Sequence, residues 1–322
     1  MSLIKRFSDY EDVLIRKFHE HPFFRNFSRM SDEELRKYLA EKWHLSQNFV
    51  PWYDSAINTL NALGELKARD VLRKIVDDET PIGKPSHRED LLWDLERVGL
   101  NPLEILKAMP SKHTRKTLAK LHGLTIYDGD PNYVLRTMTA LRTAGEILVA
   151  EEYRHVVPEL ERRFDLTPEQ SRFYAFHFEH DRKDNESGEH THSFGRILES
   201  NITDEDKLRV AIDATNRAYE VRAGFYDQFT KISRRMQIVK VLAASSGIAA
   251  SLLLAYSLGF ETPEGNGIPN EISGYRHCLD IDPMQRDSDR WLINRSLQTA
   301  DTSYLKNVGK PEAVREVWGE GP

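Results

Sequence analysis

One cysteine, Cys278, in 322 residues removes two classes of protein at once. A single thiol cannot build an internal disulfide framework, nor can it supply a thiolate-rich zinc or iron–sulfur site. Strand signals are missing too: before residue 260 no period-2 apolar run bounded by turn residues occurs, so no sheet is required. There is no long basic run and the net charge is −6, which excludes nucleic acid as an expected partner. The opening residues, Met1 to Asp9, lack the apolar core of a secretory signal. A reducing cytoplasm is the expected location.

One stretch raises the membrane question. Residues 241–260 carry no charge and follow the basic segment 231–240, the length and flank of a spanning helix. Ser245, Ser246, Gly247, Ser251 and Ser257 nevertheless make it only weakly hydrophobic. Small residues at this density suit close helix packing within a protein or across a dimer. A homodimer is expected, and a membrane span is not.

What the chain does have is helix signals. Ser31-Asp32-Glu33-Glu34, Thr167-Pro168-Glu169-Gln170 and Thr203-Asp204-Glu205-Asp206 read as helix openings, the first two as capping boxes. Ile212, Tyr219 and Phe225 recur at about two-turn intervals, as a buried stripe should. Six to eight helices are expected between residues 2 and 258. Gly265, Gly267 and Pro269 then bring turn chemistry. We therefore expect an all-α domain over 1–260 and an irregular C-terminal extension or arm over 261–322.

Three places carry acids and histidines with chemical promise. Glu79 ends an amphipathic helix; Pro81, Gly83 and Pro85 break the chain, and His87 opens the next helix. Across such a kink a Glu and a His can converge. The plainer alternative is a solvated helix end, Asp77-Asp78-Glu79, with His87 as a cap. Glu146 sits among Leu141, Ile147, Leu148 and Val149, where an unpaired carboxylate is costly; its plain alternative is an i,i+4 pair with Arg142. His177 and Asp181 are four apart, so one helical face carries both, whereas His180 falls off that face and reads as a surface residue. Helices that turn Glu, His and Asp toward one interior are how a bundle holds two iron or manganese ions.

Glu79, His87, Glu146, then His177 and Asp181, with the opening Phe18-His19-Glu20-His21-Pro22-Phe23-Phe24, resemble the haem-oxygenase-like di-iron oxidases and oxygenases over about residues 10–235. The resemblance implies a bundle of about seven helices and a ligand series ending His-x-x-x-Asp-x-x-His. The final histidine of that series falls at Asp184 here. Either the aspartate takes its role or an insertion moves it to His190; His190 is preferred because the apolar pattern resumes after it, with His192 a further alternative. Asp78 is likewise an alternative to Glu79.

The implied metal set is Glu79, His87, Glu146, His177, Asp181 and His190. The implied cofactors are two iron ions, manganese fitting at one site, with dioxygen as co-substrate. The implied function is oxidation of a small amino-acid-derived or fatty-acid-like substrate by N-oxygenation, desaturation or carbon–carbon cleavage. Trp43, Phe49, Trp52 and Tyr53 serve as cavity lining or, more simply, as core. Two rival readings remain at this point. One is a metal-independent relative of the same fold, a cofactorless oxidase or a thiaminase-like hydrolase, the latter disfavoured because Cys278 lies outside the matched region. The other is a helical protein that binds a membrane or a partner.

Overall fold

A computed structural model describes residues 1–245 apart from 82 and 184–188, with side chains through residue 230 except at 189. The C-terminal extension, Cys278, Asp184 and most of the uncharged stretch 241–260 lie outside the described residues. Among the described residues no helix is long and apolar enough to cross a membrane.

The described chain is helical throughout and contains no strand. In order it forms α1 (Leu3–His19), α2 (Pro22–Arg25), α3 (Asp32–Gln47), α4 (Phe49–Ala62), α5 (Leu66–Glu79), α6 (His87–Arg97) and α7 (Pro102–Lys107). Then come α8 (Lys112–Gly123), α9 (Tyr133–Leu141), a π turn (Arg142–Ile147), α10 (Leu148–Phe164), α11 (Tyr174–His180), α12 (Glu189–Asn201) and α13 (Glu205–Ser245). The segments outnumber the seven or so expected because local breaks divide longer runs. Asn48, for instance, leaves helical geometry for one residue and parts α3 from α4.

Sequence chemistry accounts for most boundaries. Ser31 and Glu34 form a reciprocal capping box at the start of α3, and Ser86 with Glu89 does the same for α6, each pair satisfying two free amide groups. Asp204 caps α13 by accepting from the Lys207 amide at 2.8 Å. The expected box at Thr167 does not open a helix. Gln170 accepts from the Thr167 amide at 3.4 Å, but residues 168–170 form only a turn and α11 starts at Tyr174. A distant side chain sets that start: Asp94 of α6 accepts from the Ser171 hydroxyl (2.7 Å) and from the amides of Arg172, Phe173 and Tyr174 (2.9, 3.0 and 3.1 Å).

Two apolar cores fill the bundle. One gathers α2, α3, α6, α10 and α11 around Trp43, Leu91, Tyr153 and Phe225. The other gathers α4, α5, α9 and α12 around Tyr53, Leu72, Leu141 and Phe194. Helices α1 and α13 contribute to both, Phe7 and Leu208 to the second and Phe18 and Tyr226 to the first. Trp43 is 1% exposed and lies in the first core.

Candidate metal centre

The break between α5 and α6 brings the two ends of the loop together. Glu79 is the last residue of α5 and His87 the first of α6, behind its Ser86 cap, so His87 is not itself the capping residue. Glu79 Oε2 lies 3.1 Å from His87 Nδ1, and Glu79 Oε1 lies 3.4 Å from His177 Nε2 on α11. The two imidazole rings meet edge to face at 4.7 Å. His177 Nδ1 is 2.9 Å from the Phe173 carbonyl; donating there orients the ring so that Nε2 faces Glu79.

Glu146 enters from the π turn, every residue of which is buried. Its plain pairing with Arg142 is not made. Arg142 instead reaches Glu11 of α1, with Nε–Oε1 at 2.8 Å, and donates to the Thr191 carbonyl. A π turn widens the helix by one residue and places consecutive side chains out of α-helical phase. Glu146, 1% exposed, accepts from the Tyr53 hydroxyl at 2.6 Å through Oε1. Gly145 makes that bond possible, because a Cβ there would collide with Tyr53 Oη.

A second cluster forms beside it. His190 Nδ1 lies 3.5 Å from both Glu146 Oε2 and Asp181 Oδ1, while its Nε2 lies 3.2 Å from Asp78 Oδ2. His180 Nδ1 lies 3.0 Å from Asp181 Oδ1. Asp78 and Glu79, adjacent in sequence, thus turn to different histidines, Asp78 to His190 and Glu79 to His87 and His177. His192 is exposed and faces neither cluster.

Within each of two triplets, Glu79–His87–His177 and His180–Asp181–His190, donor atoms lie within 4.8 Å of one another. Glu79, His87, Glu146, His177 and Asp181 all line one cavity of about 50 Å³, as do Phe49 and Trp52. The structure therefore brings all six expected residues together. His180, expected at the surface, keeps 26% of its side chain exposed and turns Nδ1 toward Asp181. Three residues after His177 on α11, His180 is its i,i+3 neighbour on one side of the helix.

The electrostatics describe a place built for positive charge. Burial works against the Glu79 carboxylate, but the hydrogen bond with His177 and the charges of His87 and His177 outweigh it and hold its pKa well below the usual range. Burial likewise opposes charge on His177 and His190. Glu79 nevertheless lifts His177 to about 9, and Asp181 with Glu146 lifts His190 to about 11. Glu146 itself is pushed up, by burial first and by the charge of Asp181. Without a metal, protons on histidine supply the cations that this many carboxylates demand.

The residues fit a metal on independent grounds. His87 Nδ1 is buried without a hydrogen-bond partner although Glu79 Oε2 is only 3.1 Å away. Two donor atoms thus converge without the angle for sharing a proton. Imidazole and carboxylate donors, with no thiolate, suit iron or manganese.

A sequence profile described as that of iron-containing redox enzymes matches residues 36–223, more than half of the chain. The chain belongs to this iron-containing redox enzyme family. Its fold is similar to that of a CADD-like protein of unknown function from Nostoc punctiforme, at 17% identity and a TM-score of 0.56, over 70% of this chain and 98% of that one. It is also similar to a domain of unknown function with a haem oxygenase-like fold from Shewanella denitrificans, at 14% identity and a TM-score of 0.57, over 74% and 95% of the two chains. At these identities the likeness speaks for the fold alone, and that fold is the haem-oxygenase-like all-α bundle. No curated protein matches the chain.

Proposed function

We propose that this member of the family is a dioxygen-dependent, non-haem di-iron oxidase or oxygenase acting on a small amino-acid-derived or fatty-acid-like molecule. One observation carries the reading: two triplets of imidazole and carboxylate donors stand with Glu146 between Tyr53 and His190, and the first triplet, Glu146 and Asp181 line one cavity. Glu79, His87 and His177 would hold one ion, and Glu146, Asp181 and His190 the other, with His180 at hand beside Asp181. When bound, a ferrous pair supplies electrons and open coordination positions for dioxygen.

The chain's own residues prepare that chemistry. The Phe173 carbonyl orients His177. Tyr53 occupies one oxygen of Glu146 and leaves the other toward His190. Asp94 ties α6, which carries His87, to the start of α11, which carries His177. The apolar walls, Leu45, Phe49, Trp52, Leu91 and Val149 among them, limit the water that reaches the site.

Anaerobic ferrous titration of the purified chain tests the reading. It should saturate near two ions per chain, and an oxygen pulse should then change the visible spectrum. Saturation at one ion or none, with Glu146→Ala titrating like the parent, overturns it.

A further inference from the structure

The cavity has a second charged group that the metal reading leaves unused. Lys42 of α3 and Arg222 of α13 line the same cavity as the metal-site residues, and each is only 2% exposed. Both bind one carboxylate oxygen, Glu152 Oε2 on α10, at 2.6 and 2.5 Å. The other oxygen of Glu152 accepts from the Tyr38 hydroxyl. Arg222 also donates to Tyr226 Oη at 3.1 Å, yet its buried Nε–H has no partner. Lys42 Nζ sits 5.1 Å from the centre of the Tyr153 ring.

With Lys42 protonated, this is two cations against one anion. Among the described residues no other carboxylate bonds to either cation. An uncompensated charge this deep is costly; burial, then the neighbouring Arg222 charge, pushes Lys42 down to about 7. The group is short of one anion and has an unused N–H with which to bind it.

We infer that Lys42 and Arg222 form the subsite that receives the carboxylate head of the substrate, with the apolar cavity wall holding its hydrocarbon body. A carboxylate there balances two cations with two anions. It also gains charge-assisted hydrogen bonds, for which a guanidinium is well shaped. A neutral amide of the same shape leaves the excess charge in place. This inference rests on reading the cavity as the substrate site, and its test is run without metal so that the two fail separately.

The probes are butanoate and butanamide, titrated calorimetrically into the full chain after metal stripping and dialysis. Butanoate should bind more tightly by about ten-fold or more. Lys42→Met keeps the side-chain volume and leaves a neutral Glu152–Arg222 pair; in it the preference for the acid should fall to about two-fold or less. Lys42→Arg should restore the preference, which a purely structural role for Lys42 does not require. Equal binding of acid and amide by the parent chain overturns the inference, and so does a preference that survives Lys42→Met unchanged. Iron binding in the same variants reports separately on the metal centre.

Discussion

Tyr53 hydrogen-bonds Glu146 across a gap that exists only because residue 145 has no side chain. The bond links α4 to the π turn and holds the buried carboxylate with one oxygen committed and one turned toward His190.

Gly145→Ala should therefore damage the site before it damages the fold. Its methyl group meets the Tyr53 hydroxyl and ring, an overpacking cost of about 1–3 kcal/mol. Tyr53→Phe removes a hydrogen bond to a buried carboxylate and should cost about 1–3 kcal/mol. In the double variant the colliding hydroxyl is gone, so the combined loss should be smaller than the sum. Denaturant unfolding of the three variants checks this; strict additivity would show that the two residues do not share the gap.

Glu146→Gln should separate stability from metal binding. The neutral amide still accepts from Tyr53 but removes an anion that burial and Asp181 both disfavour. The metal-free variant is expected to melt no lower than the parent while holding less iron, a trade expected where function keeps a costly group in place. Scanning calorimetry alongside iron analysis decides it. A large fall in metal-free melting temperature would contradict this account of Glu146.

The metal-free chain should lose stability on mild alkalinisation. His177 and His190 are raised from 6.5 to about 9 and about 11. Their contribution is thus fully present below about pH 6.5 and fades as pH climbs through the folded values. Glu79 works in the opposite sense: its pKa is depressed from 4.5, so its contribution holds above that value and is lost in acid. Melting temperatures of the metal-stripped protein should fall from pH 6.5 to 9.5. With manganous ion bound the histidines are deprotonated throughout, and the fall should be much smaller. Identical profiles with and without the ion would sink the assignment.

Asp94→Ala should loosen α11 and, through it, the metal centre. Asp94 satisfies three amides and a hydroxyl at the helix start, and its loss should cost about 2–3 kcal/mol. Amide exchange should rise selectively over residues 172–181, and iron affinity should fall although no expected ligand has been touched. Exchange that stays unchanged in that segment would remove Asp94 from this role.

How far the sequence reveals the site depends on whether local geometry or tertiary contact decides. Glu79 and His87 are legible because prolines and a glycine mark the break between their helices, and Ser86-x-x-Glu89 marks the restart. Glu146 is legible as an acid among apolar neighbours. Its partner is not: Arg142 one turn away is the obvious choice, but the π turn alters the phase and Glu11, far off in sequence, takes the arginine. The Thr167 box misleads for a related reason, since Asp94, from another helix, caps the amides of residues 172–174 and sets the helix start there. His180 is passed over although an i,i+3 neighbour of His177 shares its side of the helix as an i,i+4 one does. Lys42 and Arg222 carry no local signal at all; α3 and α13 must pack before their shared carboxylate is visible.

The π turn has one more consequence. The residues before it belong to one apolar core and those after it to the other, so it acts as a phase joint in an otherwise continuous rod. Each half can be cut to the screw of its own neighbours, α13 for α9 and α11 for α10, without a compromise pitch that suits neither. Glu146 rides on the joint itself. Deleting one residue there would put both halves back on a single thread, and the acid would turn with it, away from the seam where the two cores meet.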